Sequence, residues 1–227
     1  MQEQSSKSLE AAWLSVTQRA NSAAAGRPVR ILAVSKTRPA ALIRSLVALG
    51  QQAFGENYVQ EALGKQAELG DTAIEWHMIG PLQSNKCKDV AEHFDWLQTV
   101  DRARLIEPLA RFRPAHLPPL NVLVQVNIDD EPSKAGCQPG QIAGLADSIA
   151  AHPRLRLRGL MAIPAPAADV GIRRAAFVRM RTCFERLRDS HRDVDTLSIG
   201  MSDDFELAIT EGATMVRVGS LLFGPRA

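Results

Sequence analysis

The sequence has few cysteines, little net charge and no long apolar run, and each shortage excludes a class of protein. Its three cysteines, Cys87, Cys137 and Cys183, lie far apart and form no CxxC pair. We therefore expect neither a disulfide framework nor a zinc site, and a reducing cytoplasm as the location. A net charge of +2 gives no electrostatic footprint for nucleic acid. No apolar run approaches the roughly 20 residues that span a bilayer, and the polar first residues indicate no secretory signal.

The alternation of apolar and helical segments predicts the fold. After an Ala-rich helical segment over about Gln4–Ala25, short β-prone runs alternate with helical stretches, which is typical of parallel strands joined by crossover helices. Eight such runs predict a single α/β domain over residues 1–227, a (β/α)8 TIM-type barrel with residues 1–27 as an extra N-terminal helix packed on it. An open doubly wound sheet is the alternative. The predicted strands are Arg30–Ser35, Gln52–Phe54, Glu75–Ile79, Trp96–Val100, Asn121–Ile128, Leu157–Ala162, Thr196–Ile199 and Thr214–Val218.

Lys36 ends the first predicted strand, directly after Ile-Leu-Ala-Val-Ser. Functional groups in such barrels lie at the carboxyl ends of the strands. Burying a lysine there is costly unless it is neutral, paired or covalently modified, and desolvation of a buried amine favours the neutral form that a Schiff base requires. The alternative is a lysine whose ammonium group reaches water at the end of the strand.

Two short Gly/Ser segments follow the seventh and eighth predicted strands, where phosphate sites of these barrels are often built. Gly200 and Ser202 follow one strand, and Gly219 and Ser220 follow the other. Ser202 or one of the two aspartates after it would cap the next helix, whose first backbone N–H groups suit an anion. The pair of segments favours a phosphate site, whereas tight turns alone are the alternative.

Three further polar residues lie at or near the carboxyl ends of predicted strands, and the sequence allows two interpretations of each. Arg217 alternates with its apolar neighbours in strand eight; inside the barrel it needs an acceptor such as a pyridine nitrogen or a carboxylate, and outside it would pair with a helix acid. Asn57 and His77, at the ends of strands two and three, would either line a pocket or satisfy loop backbone groups. No cluster of histidine, cysteine and carboxylate residues has metal-ligand spacing.

Seven blocks of the sequence resemble the pyridoxal 5'-phosphate (PLP) homeostasis protein family, the YggS/PROSC-type PLP-binding proteins. They occur in the family's order and span nearly the whole chain. The blocks are Ala33–Pro39, Phe54–Glu61, Trp76–Lys86, Val126–Gly136, Leu157–Pro164, Leu197–Asp204 and Met215–Gly224.

The resemblance implies a cofactor and the residues that bind it. The fold would be similar to the N-terminal barrel domain of alanine racemase, with PLP as an aldimine on Lys36. Ser202, Gly219 and Ser220 match phosphate-binding positions. Arg217 matches the arginine that faces the pyridine nitrogen, and Asn57 matches a residue near the ring.

The resemblance also implies a carrier of PLP in vitamin B6 homeostasis, without efficient amino-acid catalysis and with no catalytic residue. An arginine retains its proton, so the ring nitrogen would stay unprotonated and a carbanion poorly stabilised. The chain ends soon after the eighth strand, and we expect no second domain to supply a catalytic tyrosine. We expect a monomer, with apo PLP enzymes as recipients. The alternatives are a low-rate PLP-dependent amino-acid racemase and, without PLP, a Schiff-base aldolase or another phosphate-binding barrel.

Overall fold

Eight parallel strands close into one barrel in chain order, which confirms the predicted (β/α)8 architecture and excludes the open sheet. This computed structural model describes residues 2–131, 134–165 and 168–224, with side chains from residue 8 onward. Each strand pairs in parallel with the next, and the first pairs with the eighth. The strands are β1 (Arg30–Val34), β2 (Ala53–Glu56), β3 (Glu75–Met78), β4 (Trp96–Val100), β5 (Leu120–Val126), β6 (Leu155–Ala162), β7 (Thr196–Ser198) and β8 (Met215–Val218).

Helices surround the barrel and connect successive strands. They are α1 (Gln2–Ala24), α2 (Ala40–Ala48), α3 (Val59–Glu68), α4 (Cys87–His93), α5 (Ile106–Phe112), α6 (Ile142–Ala150), α7 (Val170–Ser190), α8 (Phe205–Thr210) and α9 (Ser220–Phe223). Short 3-10 turns precede three of them, at Ser84–Lys86, Ala103–Leu105 and Pro139–Gln141. In the described part of the chain, no helix combines the length and the apolar character needed to cross a membrane.

Helix α1 packs on the outside of the barrel through one apolar face. Leu9, Val16 and Ala20 are buried along it at helical spacing. The Trp13 indole Nε1 donates a hydrogen bond of 3.1 Å to the Leu49 carbonyl oxygen at the end of α2. Because one helix touches the end of another far away in sequence, α1 is fixed relative to the barrel wall.

Seven of the eight strands differ from their predicted limits by one or two residues, and β2 and β6 show why. Strand β2 begins one residue later and ends at Glu56 rather than Phe54, because Gly55 fits where a Cβ would lie 2.9 Å from Ile79 Cδ1. Strand β6 begins at Leu155, two residues early, because exposed Arg156 alternates with buried leucines on either side. The glycine within β2 and the arginine within β6 are residue types that argue against a strand, so the sequence did not predict these two limits correctly.

Candidate functional site

A cavity of about 300 Å³ opens at the carboxyl ends of the strands. This size lies within the range of small-molecule pockets. All six residues predicted as cofactor-binding line it, which places them together at one end of the barrel. The described lining comprises Val34, Lys36, Arg38, Asn57, Ile79, Ile163, Met201, Ser202, Asp203, Arg217, Gly219, Ser220 and Gly224.

Lys36 lies two residues beyond β1, in a turn that carries its half-buried side chain to the cavity. The turn is closed by the Arg38 N–H, which donates to the Ser35 carbonyl oxygen at 3.0 Å. Thr37 has a φ of 64°, a left-handed conformation that is unusual for a β-branched residue. The backbone beside Lys36 is therefore strained and must be held by its surroundings.

The loops after β7 and β8 meet at the other side of the cavity. The Gly219 N–H donates to Ser202 Oγ at 3.3 Å, and Ser220 begins the short helix α9. A Cβ on Gly219 would lie 3.3 Å from Val34 Cβ and from the Val34 carbonyl oxygen. Glycine therefore lets the β8 loop approach β1 closely, which brings hydroxyl and backbone N–H donors to one place.

The prediction that a side chain caps the helix after β7 is wrong. Asp204 occupies the N-cap position of α8, but its side chain forms no cap hydrogen bond. Its Oδ1 instead accepts from the Met201 N–H at 2.7 Å. The carboxylate thus stabilises the loop that precedes the helix, which contains Ser202.

Arg217 points into the barrel and is 4% exposed, which decides between the two orientations that the sequence allowed. Its Nη1 donates to the Ser198 carbonyl oxygen and to Ser198 Oγ at 2.7 and 2.8 Å, and its Nη2 donates to the Ala162 carbonyl oxygen at 2.8 Å. Burial lowers the pKa of Arg217 to about 10, against the opposing charge of Asp204. The guanidinium therefore remains a cation at neutral pH.

A row of hydrogen bonds continues from Arg217 through the barrel interior. Ser198 Oγ donates to Gln98 Oε1 at 2.7 Å, and Gln98 Nε2 lies 2.9 Å from His77 Nδ1. His77 Nε2 lies 2.6 Å from Glu75 Oε1. Burial lowers the pKa of His77, so the neutral ring donates from Nε2 and accepts at Nδ1. These hydrogen bonds fix the Ser198 side chain, which accepts a hydrogen bond from Arg217.

Asn57 and His77, which the sequence left equivalent, have different places. Asn57 lines the cavity, and a Cβ on Gly80 would lie 2.1 Å from the Asn57 carbonyl oxygen, so glycine is required beside it. His77 is fully buried in the barrel interior and stacks on Trp96 at a centroid distance of 5.1 Å. It is a structural residue of the barrel and not part of the cavity lining.

Sequence reasoning missed several lining residues and one charged cluster. Arg38 and Asp203 line the cavity, and both stand within two residues of predicted site residues, so proximity to Lys36 and Ser202 was the available signal. A buried ion pair between Lys65 Nζ and Glu56 Oε1, at 2.6 Å, was not predicted. Its sequence signal was weak because Lys65 lies in a helix with ordinary amphipathic spacing.

The charges around the cavity favour an anion. Lys36, Arg38 and Arg217 line it together with one carboxylate, Asp203. Among the residues that the structure describes, no group of three or more histidine, cysteine, aspartate and glutamate side chains could hold a metal ion. An amine, a cationic lining and hydroxyl and backbone donors together suit a phosphorylated carbonyl compound.

Comparison with known proteins identifies the family. A model described as the alanine racemase N-terminal domain matches residues 10–227. The pyridoxal phosphate homeostasis protein of Pseudomonas aeruginosa is 56% identical over 206 residues, which cover 89% of this chain and 88% of that protein. The Escherichia coli K12 protein of the same name is 53% identical over 201 residues, covering 87% and 86%. The structure of PipY from Synechococcus elongatus with PLP bound matches with a TM-score of 0.83 and 38% identity, covering 95% of this chain and 100% of PipY. These matches confirm the resemblance, and the chain belongs to the pyridoxal phosphate homeostasis proteins, a family with the alanine racemase N-terminal domain.

Proposed function

We propose that this protein binds PLP covalently through Lys36 and acts as a carrier and buffer of PLP in vitamin B6 homeostasis. The observation that carries the proposal is the meeting of all six predicted site residues around one cavity. Relatives named pyridoxal phosphate homeostasis protein and the PLP-bound structure of PipY support it.

The residues that line the cavity fit the chemistry of PLP. Its phosphate dianion suits the donors of Ser202, Gly219 and Ser220, in a lining where the arginines Arg38 and Arg217 outnumber the one carboxylate. Arg217 has five N–H donors; three bonds from it hold the barrel wall, and we assign a remaining donor to the ring nitrogen. We place Asn57 beside the ring. When bound, PLP supplies an aldehyde that an amine captures and a ring that accepts electrons.

The same lining favours a carrier over an efficient amino-acid enzyme. Arg217 donates hydrogen bonds and keeps its proton at neutral pH, so it leaves a ring nitrogen unprotonated. A two-base racemase also needs a second proton carrier opposite the lysine. The described lining includes no histidine, cysteine or tyrosine, and the side chain of Tyr58 lies elsewhere, 62% exposed.

An absorbance spectrum of the purified protein tests the cofactor assignment. We expect a visible-violet band in the wild-type protein after addition of PLP and its loss in Lys36→Ala. Lys88→Ala is the matched control, because Lys88 is a solvent-exposed helix lysine (60% exposed). A full band in Lys36→Ala would exclude Lys36 as the binding amine, and a colourless wild-type protein would favour a phosphate-binding barrel without PLP.

Two assays separate the carrier from the racemase. We expect the PLP-loaded protein to reactivate an apo PLP enzyme, and to form no D-isomer from L-amino acids. D-isomer production that Lys36→Ala abolishes would instead support the low-rate racemase. We further infer a cytoplasmic location, which the three free thiols favour. The monomeric state and the identity of the recipient enzymes stay predictions that ultracentrifugation and the transfer assay would measure.

A further inference from the structure

A buried cluster of charges lies behind the turn that carries Lys36. Lys65 Nζ on α3 is 2.6 Å from Glu56 Oε1 and 2.7 Å from Glu61 Oε1. The Lys65 and Glu56 side chains are 7% and 0% exposed, whereas Glu61 is 26% exposed. None of the three lines the cavity, so their charges do not bind the ligand directly.

This cluster binds both neighbours of Lys36 in the chain. On one side, Ser35 Oγ donates to Glu56 Oε1 at 2.6 Å, and Lys65 Nζ donates to the Ser35 carbonyl oxygen at 2.8 Å. On the other side, the Thr37 N–H donates to Glu61 Oε1 at 2.5 Å. The residues before and after Lys36 are thus held by one connected set of charged groups.

The bond to Thr37 falls on the strained residue of the turn. A β-branched residue at a φ of 64° is strained and persists only where its surroundings impose that conformation. Glu61 Oε1 accepts the amide proton of that residue and is itself held by Lys65. The ion pair thereby stabilises a backbone conformation that Thr37 would otherwise leave.

Stability alone gives a weak reason for such a cluster. Desolvation of buried ions roughly cancels their attraction, and well-packed apolar residues are often as stable. Burial raises the pKa of Glu56, although the hydrogen bonds from Lys65 and Ser35 lower it. The raised pKa reflects the same cost of removing the charged carboxylate from water. A cluster with little net stabilisation that contacts both neighbours of one lysine is better explained by the position of that lysine.

We propose that Glu61 and Lys65 are positioning residues that hold the Ser35–Thr37 turn so that the Lys36 amine meets the aldehyde of PLP. The proposal rests on the proposed function. In that step the neutral Lys36 amine forms a C=N bond to the aldehyde carbon, and the carbonyl oxygen leaves as water with the two amine protons. Misplacement of a reacting group by about 1 Å slows such a step by up to about 100-fold.

The test separates covalent capture from binding. Capture is followed by quenching mixtures of protein and PLP with borohydride at intervals and measuring the adduct by mass spectrometry. Binding without capture is measured with pyridoxine 5'-phosphate, which has an alcohol in place of the aldehyde. The variants are Glu61→Ala, Glu61→Gln and the control Glu68→Ala, an exposed residue at the end of the same helix.

We expect Glu61→Ala to capture PLP about 10- to 100-fold more slowly while its affinity for pyridoxine 5'-phosphate stays unchanged. Glu61→Gln retains an oxygen for the Thr37 N–H and should recover most of the rate, and Glu68→Ala should match the wild type. Capture at the wild-type rate by Glu61→Ala would overturn the proposal, as would an equal loss of affinity for pyridoxine 5'-phosphate. Absence of any adduct in the wild-type protein would overturn the proposed function itself.

Discussion

Ser202→Ala should weaken binding of a phosphorylated ligand far more than it weakens the fold. In the protein, the Ser202 hydroxyl accepts one long hydrogen bond of 3.3 Å from the Gly219 N–H, so its loss should lower the free energy of unfolding by less than about 1 kcal/mol. Toward a phosphate dianion the same hydroxyl donates a charge-assisted hydrogen bond, which contributes about 1.5–3 kcal/mol. That free energy corresponds to a dissociation constant about 10- to 100-fold higher.

The assay is calorimetric titration with a pair of ligands that differ only in the phosphate. Pyridoxine 5'-phosphate should show the full loss in Ser202→Ala, and pyridoxine should bind both proteins equally. Ser148→Ala is the control, because Ser148 is a half-buried serine on α6 that donates to the Gly144 carbonyl oxygen and does not line the cavity. Equal losses for both ligands, or no loss for the phosphorylated one, would refute the placement of the phosphate at Ser202.

Two further predictions concern the scaffold. Gly200→Ala should lower the free energy of unfolding in urea by at least about 2 kcal/mol, because Gly200 has a φ of 91° and a Cβ there would lie 2.4 Å from Ala208 Cβ. Gly64→Ala, in a helix with open space, should be neutral or stabilising, and an equal cost in both variants would contradict the reasoning. Glu75 lies at the opposite end of the barrel from the cavity. Burial raises the pKa of its carboxyl group, but the hydrogen bonds and charges of His77 and Arg30 have the larger effect and lower that pKa from 4.5 to about 2. The ionised Glu75 therefore stabilises the folded protein fully above the pKa that Glu75 has in the unfolded chain, and this contribution is lost as pH falls from about 4.5 towards 2. Glu75→Gln should therefore lower the free energy of unfolding by about 1–2 kcal/mol at pH 7, after allowance for solvent screening. If the variant lost stability between pH 4.5 and 2 as steeply as the wild type, the reasoning would be contradicted.

The order of strands and helices was predictable because hydrophobic period and glycine placement are local properties. Strands such as Arg30–Val34 are apolar apart from their first residue, and the helices between strands have clear amphipathic spacing. Strand limits were less predictable where tertiary packing overrides local pattern. Gly55 lies within β2 because Ile79, directly after β3, leaves no room for a side chain there, and no property of the β2 segment itself indicates this.

The candidate site was predictable as a set of residues, because in a parallel barrel the ends of all strands meet on one rim. Its orientation and support were less predictable. Strand alternation left Arg217 equally free to point either way, and only the acceptors at Ser198 and Ala162 decide it. The Lys65 cluster joins residues from β2, α3 and the turn after β1. Such contacts depend on how α3 packs against the barrel, which a single sequence does not encode locally.

Localisation of a trapped cofactor tests the central claim most directly. The protein is loaded with PLP, reduced with borohydride, digested and examined by peptide mass spectrometry. We predict that the reduced phosphopyridoxyl mass is found on the peptide that contains Lys36, and that Lys36→Ala carries no such label. A label mainly on another lysine, such as Lys86 or Lys134, or no label after loading, would contradict the assignment of Lys36 as the amine that holds PLP.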